Sequence, residues 1–403
     1  MKLYDIAIIG GGPAGSQVAY RLAGMGHSVV VVEKKQRLDE PVCCTGIIGH
    51  ECVTPFAISD NVIHRWVNSA KVFSPSSKLL SLRRQEPQAC ILDRPAFNAF
   101  LANRAQAAGA EYVLNSPVKN IEVKDDRVSI ETATRSVFES KAAVIATGFG
   151  SRLAEGLGLG KASDFITGAQ AEVEVNGADE VEVYLCQDIA PGFFAWLVPT
   201  SPNKALAGLL SRHSPGPHLR KLMSSLQAQG KIISTDVELR YGGIPLKPIP
   251  RSYSHRILVV GTAAGQVKPT TGGGIYYGLL CADIAANTLH CALEKEALSA
   301  TSLAAYQREW KRKLGRELRI GYWARRLYEL LSDKQIDRMF DYIKSQGIDQ
   351  ALAQADDLSF DWHGAVVLRL LKYQTLTKIA GIAKIPSILK QRGQREPGIG
   401  GTE

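Results

Sequence analysis

The sequence opens on a pattern that restricts the fold from its sixth residue onward. Residues 6–33 read IAIIGGGPAGSQVAYRLAGMGHSVVVVE, which is an apolar run, a glycine turn, a helical stretch and a second apolar run that ends at an acid. Strand, glycine turn, helix, strand and acid in this order predict a βαβ unit of the kind that binds a dinucleotide. An isolated glycine motif would be weak evidence, but all five parts are in register here.

Each glycine of this pattern has its own steric role. Gly10 permits the tight turn, Gly12 lets a diphosphate approach the backbone, and Gly15 lets the following helix pack on the sheet. The N–H groups at the start of that helix would face the diphosphate. Glu33 ends the second strand, where a carboxylate accepts the two ribose hydroxyls of an adenosine and repels a 2′-phosphate.

Composition excludes several classes of protein. The 403 residues include 45% hydrophobic residues, which predicts a globular chain of two or three domains. The net charge is +9, but the basic residues are spread along the chain without an aromatic and basic binding module, so no nucleic-acid partner is expected. Seven cysteines without a C-x-x-C pair, and no secretion signal at the start, predict a cytoplasmic location without disulfides. No apolar run is long enough to predict a membrane-spanning helix.

Later segments repeat the theme of the opening unit. Residues 93–110 have the spacing of an amphipathic helix, and residues 112–118 and 120–131 predict strands with a turn at 125–126. Residues 142–150 (AAVIATGFG) and 257–265 (ILVVGTAAG) are buried strands that end in glycine turns, and the second is followed by the start of a long helix.

These elements predict a discontinuous domain organisation. The nucleotide-binding domain comprises residues 1–163 and 254–300, with part of 60–92 assigned to the other domain. Residues 164–253 alternate at period two and predict an inserted sheet with one covered face. Residues 301–403 form a C-terminal helical region.

An aromatic cluster lies inside the inserted sheet, in the segment PGFFAWLVP at residues 191–199. Phe193 is predicted to be a core residue. Proline at both ends is unusual for a central strand and favours a pocket rim or edge for Phe194 and Trp196, although a core position for Trp196 stays open.

Taken together, these motifs resemble those of the geranylgeranyl reductase family of FAD-dependent oxidoreductases. The resemblance rests on the opening fingerprint, the DRPAFNAFL helix, the ATG strand end and the segment GTAAGQVKPTTGGGI. PGFFAWLVP matches the family signature P-x-x-Y-x-W-x-F-P at both prolines and at Trp196, with Phe194 and Val198 as departures. PVCCTGIIG carries Cys44 and Gly46 where the family has a cysteine-glycine loop near the flavin.

The resemblance implies an α/β fold with an FAD-binding Rossmann-like domain of the glutathione reductase/p-hydroxybenzoate hydroxylase type. An inserted antiparallel β-sheet substrate domain and a C-terminal helical region would complete the chain. The implied activity is the reduction of C=C double bonds in geranylgeranyl or other polyprenyl chains, for which Cys44 is a candidate catalytic residue and Cys43 is interpreted as structural. Phe194, Trp196 and Pro199 would line the substrate site, and no metal is expected. The implied cofactor-binding residues are Gly10, Gly12, Ala14, Gly15, Glu33, Cys44, Thr45, Gly46, Arg94, Val118, Gly148, Thr262, Gly273, Gly274 and Ile275.

Residues near the implied flavin also support binding on physical grounds. Gly273 and Gly274 at a helix start present N–H groups to an anionic reduced flavin, and Arg94 would serve the same anion or the diphosphate. Thr262 stands where the family usually has an aspartate. Its neutral hydroxyl predicts a weaker hold on the cofactor.

The C-terminal segment is basic and amphipathic. Residues 362–395 contain seven lysines and arginines and no acid, interleaved with aliphatic residues at helical spacing. This pattern predicts either a helix on an anionic membrane surface or a basic helix that closes the core. On the first reading, deletion of residues 362–403 would lower membrane binding and leave FAD bound.

Other functions remain open at this stage. A flavin monooxygenase or halogenase would share the fold, a menaquinone reductase would act on the same kind of prenyl tail, and an electron-transfer flavoprotein would bind FAD without saturating a substrate. The electron donor, NAD(P)H or a ferredoxin-like protein, is not identified, since the chain has one dinucleotide fingerprint and that one is assigned to FAD.

Overall fold

The computed structural model describes residues 2–355, 359–364 and 367. Most of the basic segment predicted at residues 362–395 therefore lies outside the described residues.

The described strands and helices alternate through most of the chain. In chain order the strands are β1 (Leu3–Ile9), β2 (Val29–Val32), β3 (Ile47–Gly49), β4 (Ile63–Val67), β5 (Ser69–Phe73), β6 (Leu79–Arg83), β7 (Ala89–Leu92), β8 (Glu111–Val113), β9 (Val118–Val123), β10 (Val128–Thr132), β11 (Val137–Ile145), β12 (Phe165–Glu174), β13 (Val181–Tyr184), β14 (Ala195–Ser201), β15 (Lys204–Ser211), β16 (Arg240–Pro245), β17 (Tyr253–Ser254) and β18 (Ile257–Val259). The helices are α1 (Pro13–Gly24), α2 (His50–Val53), α3 (Arg94–Ala107), α4 (Leu153–Gly156), α5 (Pro215–Ala228), α6 (Ile275–Glu294), α7 (Ala300–Glu329), α8 (Asp333–Ser345) and α9 (Ile348–Gln354).

The first sheet has the order β17-β18-β11-β1-β2-β8, and the hairpin β9-β10 extends it from β11. The pairs β1-β2, β1-β11, β11-β18 and β2-β8 are parallel. The apolar run VVVV of β2 is buried along its whole length, as expected of a parallel strand covered on both faces. Strands β11 and β18, more than a hundred residues apart in sequence, are neighbours through the pair Ala143 and Ile257.

Helices α1, α6 and α7 cover one face of this sheet. Their buried side chains, among them Val18, Leu289 and Trp310, share one apolar cluster with Ile6 and Val31 of the strands. Because α1 follows β1 directly and α6 follows β18, the N-termini of both helices lie at the carboxyl ends of the two strands that flank β11, where nucleotides bind in sheets of this type.

The second sheet has the order β16-β12-β15-β14-β13-β5-β6. Helix α5 covers one of its faces with Leu219, Leu222 and Met223. The pairs are antiparallel except β13-β5, where the residues from 69–83 join the sheet in parallel. A smaller sheet, β3-β7-β4, stands beside it.

The strand predicted at residues 112–118 differs from the observed one, whereas the turn predicted at 125–126 is confirmed. The strand expected at residues 112–118 is interrupted after Val113, because Asn115 adopts a φ of +52° and Pro117 follows it. The strand expected at 120–131 is the hairpin β9-β10, and the N–H of Lys124 donates to the carbonyl of Arg127 across the predicted turn. Among the described residues, no helix is long and apolar enough to cross a membrane.

Candidate functional site

The glycine turn after β1 is closely packed at two positions and open at the third. Gly10 has a φ of +106°, and a Cβ there would lie 2.5 Å from the carbonyl oxygen of Ala146. A Cβ at Gly15 would collide with the carbonyl of Gly10, whereas a Cβ at Gly12 would meet no atom within 4 Å. Gly10 and Gly15 are thus required by packing, and Gly12 faces open space before α1. Among the described residues, no side chain caps the N-terminus of α1, where Ala14 lies.

Glu33 is fixed at the mouth of this turn. Its buried carboxylate follows β2, accepts the N–H of Gly11 at 2.6 Å through Oε2, and accepts the N–H of Lys35 at 3.0 Å through Oε1. A carboxylate oxygen accepts more than one hydrogen bond, so both oxygens keep capacity for hydroxyl donors. The predicted ribose-binding acid therefore lies beside the predicted diphosphate turn.

Val118 belongs to the same end of the site as Glu33. The N–H of Ser116, two residues before it, donates to the carbonyl of Glu33. Val118 itself lines an open cleft of about 410 Å³ together with Ser151 and Leu157.

Arg94 is a buried cation with unused donors. It is the first residue of α3, whose N-cap Asp93 accepts the N–H of Ala96 at 3.0 Å. The residue is 8% exposed, and its Nε and Nη1 have no hydrogen-bond partner among the described residues. A Cβ at Gly46 would lie 2.9 Å from Cδ of Arg94, so the cation packs against the cysteine-glycine loop. A buried guanidinium without partners is unfavourable unless an anion binds there.

The end of β11 adds a second unpartnered group that the sequence had not indicated. Thr147 lies between Ala146, which packs on Gly10, and Gly148, which has a φ of +74°. The hydroxyl of Thr147 is buried and has no partner among the described residues. The sequence signal that could have indicated Thr147 is its position in the ATG strand end, because that strand end approaches the nucleotide turn.

The glycine-rich loop at residues 268–274 leads into α6. Gly272 has a φ of +76°, and no side chain caps the helix at Gly274 or contacts its first N–H groups as a cap. A Cβ at Gly274 would lie 3.5 Å from Oγ1 of Thr262. The predicted contacts Thr262, Gly273, Gly274 and Ile275 are therefore together at the start of a 20-residue helix.

Strand β16 brings three of these loops together, and the sequence had not singled it out. A Cβ at Gly242 would lie 3.5 Å from Sγ of Cys43, and a Cβ at Gly243 would collide with the ring of Phe149. Cδ1 of Ile244, in turn, would lie 2.7 Å from a Cβ at Gly272. Adjacent glycines inside a strand are a known sign of close backbone approach, and this signal was present in RYGGIP.

The two adjacent cysteines differ in what they contact. Cys43 faces β16, and burial, with Cys44 as a smaller contribution, raises the pKa of its thiol to about 12, against a lowering by Arg240. Cys43 therefore remains a protonated thiol at neutral pH. Cys44 and Thr45 follow in the same loop before Gly46, and their contact with a flavin stays a prediction.

The predicted substrate residues divide between the two faces of the second sheet. Phe193 is fully buried, which confirms its core position. Phe194 stacks on it at 4.7 Å and meets Trp196 edge to face at 6.1 Å. Pro199 instead pairs with Ala205, whose side chain belongs to the cluster beneath α5, so the structure separates Pro199 from Trp196.

The face that carries Trp196 continues to the glycine-rich loop. Phe194, Trp196, Leu210 and Ile244 share one apolar cluster, and Leu210 and Ile244 are the side chains that approach Gly272. The result is an unbroken apolar patch from the start of α6 to the aromatic pair.

Two buried polar atoms lie on the same face of the sheet as this patch. Gln170 and Trp196 both lie opposite Gly208, on either side of it, and the indole lies over that glycine. Oε1 of Gln170 and Nε1 of Trp196 are buried without partners among the described residues. One acceptor and one donor thus remain available on the patch.

Comparison with known proteins shows which family and which relatives this chain resembles. The family described as lycopene cyclase protein matches residues 5–344. The digeranylgeranylglycerophospholipid reductase of Methanocaldococcus jannaschii is 29% identical over 352 residues, which cover 84% of this chain and 90% of the relative.

Solved structures agree with the sequence relatives. A geranylgeranyl bacteriochlorophyll reductase-like protein from Thermoplasma acidophilum superposes with a TM-score of 0.82 at 23% identity, over 94% of this chain and 98% of that one. The halogenase PltM in complex with FAD gives a TM-score of 0.68 at 14% identity, over 96% and 94% of the two chains. These likenesses confirm the predicted FAD-binding type of α/β fold with its C-terminal helices.

The resemblance to geranylgeranyl reductases drawn from the sequence motifs is confirmed by relatives that bear this name. The chain therefore belongs to the lycopene cyclase protein family, and its curated relatives are digeranylgeranylglycerophospholipid reductases.

Proposed function

We propose that this protein is an FAD-dependent reductase that saturates C=C double bonds in the geranylgeranyl chains of membrane lipids. The observation that carries the proposal is the apolar patch, which runs without interruption from the glycine-rich loop at Gly272 to Phe194 and Trp196. A prenyl chain is apolar along its whole length, and concave apolar surfaces lined by aromatic residues suit such ligands.

The residues present fit FAD. Gly12 fronts open space at an uncapped helix start, and Arg94 holds buried donors without a partner. Glu33 would accept the ribose hydroxyls, while Gly273 and Gly274 would present backbone N–H groups to the flavin edge. Reduced FAD supplies a hydride equivalent to one carbon of the double bond.

The second carbon requires a proton. The cysteine-glycine loop offers the thiols of Cys43 and Cys44, and the high pKa of Cys43 keeps its proton in place at neutral pH. A thiol with so high a pKa is a weak acid, and Cys43 packs on β16 as a small apolar group. Cys44 is the candidate catalytic residue because of its place in the cysteine-glycine loop of the family.

The remaining side chains of the patch would orient the substrate and exclude water. Leu210 and Ile244 separate the glycine-rich loop from solvent on the sheet side, and Trp196 closes the far end over Gly208. Excluding water at this place protects a reduced cofactor from side reactions.

The polyprenyl substrate also bears on location. A chain of this length does not diffuse freely in water, so a cytoplasmic enzyme would reach it at the membrane surface. The basic segment at residues 362–395 would give such a peripheral association with anionic lipids. NAD(P)H and a ferredoxin-like protein are both suitable electron donors.

Two alternatives are less well supported. The tryptophan-rich W-x-W-x-I-P signature of halogenases is absent, because Trp196 is followed by Leu197 and Val198, and the halogenase likeness is one of fold. Menaquinone carries the same kind of prenyl chain, so the apolar patch does not separate it from a phospholipid. The test below distinguishes the two substrates.

The test is mass spectrometry of lipids incubated with dithionite-reduced protein. Geranylgeranylated glycerophospholipid and menaquinone are offered separately, with unreduced protein and the variant Glu33→Ala as controls. Addition of two hydrogens per double bond to the phospholipid supports the proposal, and addition to menaquinone alone would reassign the substrate. No mass shift in either lipid, from protein that binds and reduces FAD, would overturn the reductase function.

A further inference from the structure

A short C-terminal segment, residues 359–364, folds back onto the glycine-rich loop. Its centre is Asp361, whose carboxylate pairs with Nζ of Lys268. The exposed fractions of the two side chains are 1% and 4%, respectively, so this ion pair is shielded from water. The other carboxylate oxygen of Asp361 accepts the N–H of Gly49 at 2.9 Å.

One carboxylate thereby joins two loops that carry predicted flavin contacts. Lys268 begins the glycine-rich loop that ends at Gly274, and Gly49 follows the cysteine-glycine loop that contains Thr45 and Gly46. The two loops are far apart in sequence, because one precedes β3 and the other precedes α6. Asp361 contacts the first residue of the glycine-rich loop and the end of β3, the strand into which the cysteine-glycine loop leads.

A glycine at each end of this ion-pair bridge leaves room for the charged side chains. A Cβ at Gly49 would collide with Oδ2 of Asp361, and a Cβ at Gly273 would lie 2.7 Å from Cε of Lys268. Glycine at each position therefore lets the carboxylate and the ammonium group reach their places.

Neighbouring residues hold the segment in register. Nδ1 of His363 lies 2.5 Å from Oγ1 of Thr270, in the same glycine-rich loop. The N–H of Gly364 donates to Glu317 of α7 at 2.8 Å, and the ring of Trp362 packs 5.8 Å from that of Tyr277. Contacts to the loop, to α6 and to α7 make this more than a chance approach of one side chain.

We infer that Asp361 is a positioning residue that sets the spacing between the two flavin-binding loops from outside the flavin domain. The inference rests on the proposed FAD-dependent function. It predicts that FAD affinity depends on a C-terminal carboxylate that does not itself touch the cofactor. Removing one partner of a buried ion pair destabilises the fold, whereas replacing both partners with apolar residues often does not. The effect of Asp361 on stability can therefore be measured separately from its effect on FAD affinity.

The experiment compares FAD binding by apoprotein, followed by flavin fluorescence, with thermal unfolding of the same apoprotein. Asp361→Asn should weaken FAD binding about tenfold, within the usual range of coupling between sites. The double variant K268M/D361L removes both charges and should regain apoprotein stability without regaining FAD affinity. Asp341→Asn, which breaks an exposed ion pair with Lys78, is the matched control and should bind FAD as the wild type does.

A second variant applies if Asp361→Asn does not fold. Gly49→Ala places a Cβ against the carboxylates of Asp361 and Glu51, both of which hold the segment, and Gly24→Ala, where a Cβ meets no described atom within 4 Å, is its control. Wild-type FAD affinity in Gly49→Ala, or recovery of affinity together with stability in the double variant, would overturn the positioning role and leave the proposed function standing. Wild-type protein that binds no FAD would overturn both.

Discussion

Arg94 and Thr147 carry buried hydrogen-bonding atoms that have no partner among the described residues. The sequence indicates Arg94 only through the resemblance to geranylgeranyl reductases. The structure buries it beside Gly46 with two nitrogens unpartnered among the described residues, and no periodicity in the sequence could reveal that. Thr147, by contrast, drew no attention in the sequence because a threonine after a buried strand is common.

Replacing Arg94 tests whether an anion completes its environment. Arg94→Met keeps the length and packing of the side chain but removes the charge, so we expect a more heat-stable apoprotein and FAD binding weaker by about tenfold or more. Thermal unfolding and FAD titration measure the two effects. Arg37→Met, at an exposed surface pair with Asp39, serves as control. A less stable apoprotein with unchanged FAD affinity would show that Arg94 is structural.

His363 gives the site a sensitivity to acid. Its Nε2 lies 2.6 Å from the carbonyl of Phe360, which only accepts, so Nε2 carries the proton and Nδ1 accepts from Thr270. Burial and, secondarily, Lys268 lower the pKa of His363 to about 4, against smaller opposing effects that include Glu51. Between that value and the ordinary value of about 6.5, the unfolded or detached segment binds more protons than the docked one.

Docking of residues 359–364 is therefore fully favourable above about pH 6.5, and this contribution, on the order of 3 kcal/mol at most, is lost as the pH falls toward 4. We expect FAD affinity of the wild type to fall from pH 7 to pH 5. His363→Gln, which mimics the neutral imidazole, should flatten this dependence, while His64→Gln at an exposed position of β4 should not. An unchanged pH profile in His363→Gln would contradict the prediction.

At the level of elements, the sequence predicted well where one period dominates. The apolar runs of β1, β2, β11 and β18 and the periodic helices α3 and α6 were foreseen because each buries one continuous set of side chains. The role of β16 was not predicted, because it depends on the absence of side chains at two of its residues. Gly242 and Gly243 admit Cys43 and Phe149 from loops that precede them by about two hundred and one hundred residues.

Filling one of these glycines should disturb the cofactor without unfolding the sheet. Gly242→Val favours the strand by propensity, but its methyl groups would crowd the sulfur of Cys43, which a Cβ alone meets at 3.5 Å. We expect a displaced cysteine-glycine loop and FAD binding weaker by about tenfold. Tyr241→Val, on the same strand at a 60% exposed position, is the control. Equal FAD affinity and turnover in Gly242→Val and the wild type would remove β16 from the site.

For the whole molecule, the structure alters one expectation drawn from the sequence. Deleting residues 362–403 was expected to leave FAD bound, but Trp362 and His363 pack on Tyr277 and Thr270 beside the glycine-rich loop. The sequence could not indicate this contact, since residues 359–364 (SFDWHG) are too few to show a periodic pattern. The membrane hypothesis therefore has to be tested with a truncation that keeps residues 359–364.

Two truncations separate the two roles of the C-terminal region. A chain that ends after residue 367 keeps the docked segment, and one that ends after residue 355 loses it. Both should lose binding to anionic vesicles in a sedimentation assay, because the basic residues from 369 onward are absent. Only the shorter chain should lose FAD affinity. Full vesicle binding by both chains would refute the membrane role, and equal FAD affinity would refute the role of the docked segment.

The bridge at Asp361 also bears on when the protein acquires its cofactor during synthesis. The nucleotide turn at residues 10–15 and both flavin loops are translated before Asp361. A nascent chain would hold the nucleotide turn long before it holds both flavin loops at their final spacing. Tight FAD loading would then follow the synthesis of residues 359–364, and bound flavin would report that translation had passed them.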